Sequence, residues 1–393
     1  VKRSLAIAAL AALAAPLIAP ALPVAAADVY TIPVVMSLTG SAAFLGKSEA
    51  LALQLVEKLV NKQGGIKGRP IHFAIQDDQS QPETAVQLTN GVIASKPPVM
   101  LGSTVVGTCS AMMAIVKSAG PVQYCFSPGI HPTKGSYTFS SSISTADLAI
   151  ASLRYFHGMH WNKVAIITST DASGQDAANS FNEAIKTKGM DGMTFVSQEH
   201  FNPTDVSVSA QMTRIQGAHP DAIVAWSTGT PFGTLLRGIT DAGIDVPVLG
   251  GNGNLTYAQL AQYTSFVPKK LYFPSPRFFA REHIAPGPIR DAVDQFYAAF
   301  KATGVQPDNA HSFSWDPAMI VVDALRHTGL DATPDQVRAY IENLHSYAGI
   351  NGLYDFRDGS QRGLSENAAV IVKYDAAKGT FTGVSQAGGA PLK

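Results

Sequence analysis

Residues Val29–Gln76 read VYTIPVVMSLTGSAAFLGKSEALALQLVEKLVNKQGGIKGRPIHFAIQ, and this stretch decides the fold. Val29–Met36 is dense in β-branched and apolar residues and predicts a strand. Phe44–Asn61 carries Leu51, Leu55 and Leu59 at four-residue spacing, which makes one apolar stripe on a helix. Gly64 and Gly65 end that helix, because glycine enters the left-handed conformation at little steric cost. Ile71–Gln76 then reads as a second strand. Strand, helix and strand in this order form a βαβ unit, whose strands run parallel and whose sheet is covered by helices on its faces.

The same rhythm continues outward. A helix from Pro82, a strand Val99–Gly102, a helix starting near Cys109 and a strand Val122–Cys125 complete a first series. A second begins after Thr145, with a helix Asp147–His160, strand Val164–Thr168, helix Gly174–Lys188 and strand Thr194–His200. Two further rounds follow, Val206–Gly217 with Ala222–Trp226, then Pro231–Ala242 with Val246–Gly250. Beyond a strand at Leu271–Pro274 come helices Ile289–Ala302, Pro317–Thr328 and Pro334–Leu344, and short β runs at Leu353–Phe356 and Ala369–Tyr374. The pattern predicts an α/β fold of two doubly wound parallel-sheet lobes, with the chain passing between them more than once.

Toward the N-terminus, Lys2 and Arg3 precede a run of Ala, Leu, Ile and Pro that ends at Ala25-Ala26-Ala27. This is the pattern of a secretory signal peptide, residues 1–27, cut after Ala27. Pro16, Pro20 and Pro23 interrupt the run, so its proline-free part is shorter than the roughly 20 residues that span a bilayer. No cysteine stands at the boundary to carry a lipid, and the mature protein is expected free in the periplasm. Removing Lys2 and Arg3 turns 29 basic and 29 acidic residues into 27 and 29, a net charge of −2 with no nucleic-acid footprint. With 46% hydrophobic residues and a length beyond what one core serves, two domains are expected. Cys109 and Cys125 are the only cysteines. They fall at the start of a helix and the end of the next strand, near one edge of a sheet. A disulfide between them is predicted, two buried thiols being the alternative; a metal site needs more ligands at closer spacing.

Enzyme chemistry finds no constellation. G-x-S-x-G, the P-loop and H-E-x-x-H are absent, and the small-residue loop around Gly102 and Gly107 lacks the lysine of a phosphate cradle. Asp77-Asp78 at a strand end reads as a solvated turn and helix cap. The histidines are scattered singly, and neither a metal nor a cofactor is expected. His131 differs, because it lies in Ser127–Pro132, a loop leaving the C-terminal end of a strand, where open α/β sheets bind ligands. The same edge collects Ser37–Ser41, Val106–Thr108, Asp171–Gly174, Ser227–Thr230 and Gly250–Asn254. Such loops supply hydrogen bonds and close backbone approach for holding a small polar solute without reacting with it. Phe44 and Trp226 are candidate apolar walls, and each is also an ordinary core residue type.

Ile32–Gly40 with Gly46, and Asn61–Pro70 followed by a strand and Asp77-Asp78, resemble the opening of the leucine/isoleucine/valine-binding proteins of ABC importers. Gly102-Ser103-Thr104, Phe126-Ser127-Pro128 and Pro247–Gly251 extend the resemblance over the mature chain. It implies the periplasmic-binding-protein type I fold, in which two lobes joined by three crossovers close on a solute and dock on a membrane permease. On this reading lobe one is 28–145 with 277–352, and lobe two is 146–276 with 353–393. The protein is expected to be a monomer that meets the membrane only through the permease. A ligand-sensing module of a regulatory system would share the fold.

The resemblance also distributes the site. The carboxylate of an amino-acid ligand would fall to Val106-Gly107-Thr108 and Gly129-Ile130-His131. Where an acidic residue takes the ammonium, this chain has Gly251-Asn252-Gly253; where an aromatic residue precedes glycine, it has Ser173-Gly174. Candidate ligand-binding residues are therefore Phe44, Val106, Gly107, Thr108, Ile130, His131, Asp171, Ser173, Thr228, Thr230 and Asn252. Asn252 brings no charge to an ammonium, so the expected ligand is an aromatic or other amine-free organic acid. Branched-chain or other amino acids and amides are the alternative, and Asp171 is the residue placed to replace the missing charge.

Overall fold

Ile32, Val34, Val35 and Met36 are all fully buried, as befits a strand covered on both faces. They belong to β1 (Tyr30–Met36), in the middle of a parallel sheet with β2 (Ile71–Asp77), β3 (Val99–Leu101), β4 (Val122–Cys125) and β5 (Thr138–Ser140). The computed structural model describes Val1 and residues 28–392, so the expected signal peptide, apart from Val1, lies outside the described residues. The strand order is β2-β1-β3-β4-β5. Helices α1 (Ala43–Lys62), α2 (Pro82–Ala94) and α3 (Val106–Val116) make the crossovers. In α1 the fully buried line is Ala52, Val56 and Val60, with Leu55 beside it and Leu51 and Leu59 half-buried. The apolar face is thus turned one position from the leucine stripe, because α1 is packed by the sheet and by a second long helix, α10 (Asn309–Thr328).

The second sheet has the order β14-β13-β10-β9-β8-β6-β7. Its parallel part is β6 (Lys163–Ser169), β7 (Thr194–Phe201), β8 (Ala222–Trp226), β9 (Val248–Gly250) and β10 (Leu271–Pro276). The helices between are α4 (Thr145–Gly158), α5 (Ala172–Ala184), α6 (Ser209–Gly217), α7 (Pro231–Asp241) and α8 (Tyr257–Ala261). The chain then returns to the first lobe with α9 (Pro288–Lys301), α10 (Asn309–Thr328), α11 (Pro334–Asn343) and the hairpin β11 (His345–Ala348) and β12 (Leu353–Asp355). β13 (Ala369–Asp375) and β14 (Thr380–Gly383) close the second sheet as antiparallel strands.

α10 starts at Asn309, well before the Pro317 at which the sequence predicts it to begin. Proline inside a helix leaves the carbonyl four residues earlier without its donor. Here that carbonyl belongs to Phe313, and the Ser141 hydroxyl donates to it at 2.7 Å. The helix continues through Pro317 because the first interlobe crossing satisfies the group the proline releases.

The last crossing also departs from the expected boundary. Phe356 packs edge to face on Phe139 at 5.8 Å, Ser140 N–H donates to Gln361 O, and Gln361 Nε2 donates to Ser136 O. Residues 353–362 therefore stay on the first lobe, and the chain returns to the second only beyond Arg362. The Arg362 guanidinium is 4% exposed and donates to the carbonyls of Ser141, Ser142, Pro128 and Ile130 at 2.8–3.1 Å.

Cys109 in the first turn of α3 and Cys125 at the end of β4 are joined as a disulfide, fully buried beneath Ile130. A bridge closing a loop of this size is expected to stabilise by about 3 kcal/mol. Replacing both cysteines by serine should lower the urea-unfolding free energy by about that amount, and intact-mass analysis after alkylation without reductant should find no label on the native sequence. Two labels on denatured native chain would contradict the bridge.

Candidate functional site

The C-terminal ends of β1, β3 and β4 in one lobe face those of β6, β8 and β9 in the other. Between them lies a cleft. Leu45, Thr104–Val106, Ser127–Gly129, Thr145 and Phe313 line it from the first lobe, and Ser173, Trp226, Thr228, Asn252 and Gly253 from the second. The lobes are closed over it, leaving about 20 Å³, space for about one water molecule. Contacts across the gap hold this arrangement. Thr230 N–H donates to Ser41 O at 3.2 Å, Asn309 Nδ2 donates to Asn252 O at 2.8 Å, and His131 Nε2 lies 2.5 Å from Asp176 Oδ1. Gly229 makes the first of these possible: its φ is +81°, and a Cβ there would stand 2.2 Å from Ser41 O.

Trp226 ends β8 with 3% exposure; Phe181 meets it edge to face at 5.7 Å, and Gly251 passes directly over its indole. Phe313 and Leu45 oppose it from the first lobe. The polar part is built from hydroxyls, backbone and the Asn252 amide. No side chain caps α3 at Val105, so the first-turn N–H groups of this helix are free to meet an anionic group at the cleft.

A family model described as periplasmic binding protein matches residues 29–380. The chain belongs to the periplasmic binding protein family. A curated relative, Leu/Ile/Val-binding protein homolog 3 of Brucella melitensis, is 27% identical over 227 residues, 57% of this chain and 61% of that protein. Among solved structures, the branched-chain amino acid transporter substrate binding protein of Streptococcus pneumoniae in complex with isoleucine is 22% identical. It has a TM-score of 0.76 over 91% of this chain and 99% of its own. A solute binding protein of an ABC transporter from R. palustris, in complex with benzoate, is 18% identical with a TM-score of 0.76 over 93% and 97%. The two-lobed type I fold is that of a non-catalytic binding protein.

Within this periplasmic binding protein the expected site residues divide. Val106, Ser173, Thr228 and Asn252 line the cleft together, with Ser173 Oγ 2.6 Å from Thr228 Oγ1. Asn252 is 3% exposed and its Nδ2 is a buried donor without a hydrogen-bond partner on the cleft lining. Phe44 is half-buried and off the cleft lining; its neighbour Leu45 turns inward in its place. Gly107 packs beside Pro82, and Thr108 is buried behind the lining, bonding Ser103 Oγ at 2.9 Å. Ile130 covers the disulfide. His131 is exposed at the rim and bonds across to Asp176. Thr230 is exposed and contributes only its backbone. Asp171 caps α5, its Oδ1 accepting from Gly174 N–H at 2.9 Å and Ser169 Oγ at 2.8 Å, and it lies off the cleft lining. Leu45, Thr145 and Phe313 escape the sequence pattern because each lies on a helix rather than in a loop after a strand.

Behind the first-lobe wall runs a buried polar chain. Thr104 Oγ1 accepts from Ser37 N–H at 3.1 Å and donates to Glu49 Oε2 at 2.6 Å. Asp78 accepts from the hydroxyls of Ser37 and Ser103 and is fully buried, not the solvated turn that the sequence suggests. Asp77 does cap the turn, accepting from Leu38 and Gln79 N–H. Among the described residues no cluster of three or more His, Cys, Asp or Glu forms a metal site.

Burial pushes the Glu49 carboxyl up from 4.5 to about 8. The folded protein then keeps a proton that the unfolded chain releases above about pH 4.5, so this group's contribution is complete below that pH and is lost as pH rises to about 8. Glu49→Gln carries no proton to lose. The native protein should lose stability relative to this variant across pH 5 to 8, at up to about 1.4 kcal/mol per pH unit. Urea unfolding at stepped pH measures it, and parallel profiles for the two proteins would refute the assignment.

Proposed function

We propose that this protein is the solute-capturing subunit of an ABC importer. It would act in the periplasm as a monomer, freed of residues 1–27, and hand its solute to a membrane permease. One observation carries the reading: two lobes close over a cleft that joins an uncapped helix N-terminus to hydroxyls and apolar walls, with no nucleophile–base pair among its lining residues. The family match supports the same reading.

For the ligand we propose an aliphatic α-amino acid of the branched-chain type. Once the lobes part to admit it, its carboxylate would meet the N-terminus of α3 with Ser127 and Thr145 beside it, and its side chain would lie between Leu45, Val106, Trp226 and Phe313, which in the closed arrangement leave only about 20 Å³. The name of the Brucella melitensis relative and the isoleucine bound by the Streptococcus pneumoniae protein favour this over the amine-free acid that Asn252 suggests, while the benzoate of the R. palustris protein favours the latter. That acid remains a second reading on a specific ground, since no carboxylate lines the cleft and the Asn252 Nδ2 donor suits an anionic or neutral oxygen.

Titration calorimetry against leucine, isoleucine, valine and benzoate separates the two. At least one of the three amino acids should bind with micromolar or tighter affinity, and X-ray scattering should show a smaller radius of gyration at saturation. Benzoate binding without amino-acid binding would transfer the site to the second reading. Binding of none of the four would remove the proposed ligand class.

A further inference from the structure

On helix α5, one turn beyond Ser173, Asp176 presents a carboxylate that the cleft description leaves unused. His131 of the first lobe holds its Oδ1 at 2.5 Å. Its Oδ2 is buried and has no hydrogen-bond partner. Gly129 fixes where that oxygen lies. A Cβ on residue 129 would meet Asp176 Oδ2 at 2.8 Å, Val106 Cγ2 at 2.7 Å and Thr145 Oγ1 at 3.5 Å. Val106, Gly129 and Thr145 all line the cleft, so the oxygen stands just behind its wall at a point where the first-lobe wall has no side chain.

A buried carboxylate oxygen without a donor is costly, and in a binding protein it asks for the group that completes it. Arg362 is close enough to feel the charge of Asp176, yet its four side-chain hydrogen bonds all go to backbone carbonyls. Asp171 is a helix cap off the cleft lining, and Asn252 offers a donor rather than a charge.

We infer that Asp176, held in place by His131 and reached past Gly129, accepts the ammonium of the ligand and makes this site selective for amine-bearing acids. The inference rests on the amino-acid reading above and deepens it. The charge sits on a helix of the second lobe instead of in the turn at Gly251–Gly253. His131 acts as a positioning residue, and because it comes from the opposite lobe, the acceptor is oriented only when the lobes are together.

The test pairs each amino acid with the same skeleton lacking the amine: leucine with 4-methylpentanoate, valine with 3-methylbutanoate, isoleucine with 3-methylpentanoate. Calorimetry on the native protein should favour the amine-bearing member. Asp176→Asn, which keeps the shape, should weaken the amino acid about tenfold or more, as expected when a desolvated charge-assisted hydrogen bond is lost. It should leave the amine-free acid within about twofold, a difference that a general loss of structure would not produce. Gly129→Ala would put a methyl 2.8 Å from Oδ2 and 2.7 Å from Val106 Cγ2, so the carboxylate and the Val106 side chain must give way; it should weaken the amino acid more than the amine-free acid. It decides the matter if Asp176→Asn fails to fold. Native preference for the amine-free acids, or undiminished amino-acid binding by the folded variants, overturns the role of Asp176 while leaving a solute-binding cleft. Native protein that binds no member of any pair removes the amino-acid reading itself, and this assignment with it.

Discussion

The buried guanidinium of Arg362 is the constraint on which the first-lobe half of the site depends. It comes from the last crossing, and its hydrogen bonds end on Pro128 and Ile130 in the loop after β4 and on Ser141 and Ser142 in the first crossing. Burial lowers its pKa to about 10, so it remains charged through the neutral range. Placing a cation in the interior is expensive unless oriented dipoles replace water. Four carbonyls do so here, and in return their chain segments are fixed. The cleft wall at Ser127–Gly129 and the start of α4 at Thr145 are positioned by a residue more than two hundred positions away. A hinge segment and a binding wall are thereby one mechanical unit.

The two lobes divide the remaining work. The first supplies the free N–H groups of α3 and a hydroxyl chain anchored deep in the core by Glu49 and Asp78, both with carboxyl pKa values raised by burial. The second supplies the indole of Trp226 and the amide of Asn252, held by the turn after β9. Neither half encloses a solute alone. Closure brings Thr230 to Ser41 and Asp176 to His131, and these few polar contacts over a small space let a ligand contribute a large share of the closing free energy.

Much of the fold was legible because buried parallel strands are short apolar runs bounded by glycine and polar loops. β4 and β8 coincide with the expected runs, and most other strands differ only at an end. β5 was not legible, since Thr138–Ser140 is three residues of no distinctive periodicity, a strand only because Cys125 and its neighbours pair with it. The start of α10 was misread for a chemical reason: proline is usual at a helix start, and the partner that lets Pro317 lie inside the helix is Ser141, far off in sequence. The site behaved the same way. Its loops follow from strand ends, whereas the orientation of each side chain depends on contacts between distant segments. Thr108 and Thr104 lie in one loop-to-helix turn, yet only Thr104 reaches the lining. Asp176 carries no local signal at all, because its neighbours in space, His131 and Gly129, belong to the other lobe.

The disulfide lies inside the binding half-site, between the helix whose N-terminus borders the cleft and the strand whose loop forms the wall. Its formation depends on the chemistry of the compartment, since a reducing cytoplasm keeps such thiols apart and an oxidising one joins them. Without the bridge, α3 and β4 are joined only by packing and by the Gln123 Nε2 hydrogen bond to Cys109 O. The covalent tie comes only in oxidising surroundings. The redox state around the chain thus enters the construction of the site as a reagent, and a chain that has not met an oxidant carries the cleft wall without its brace.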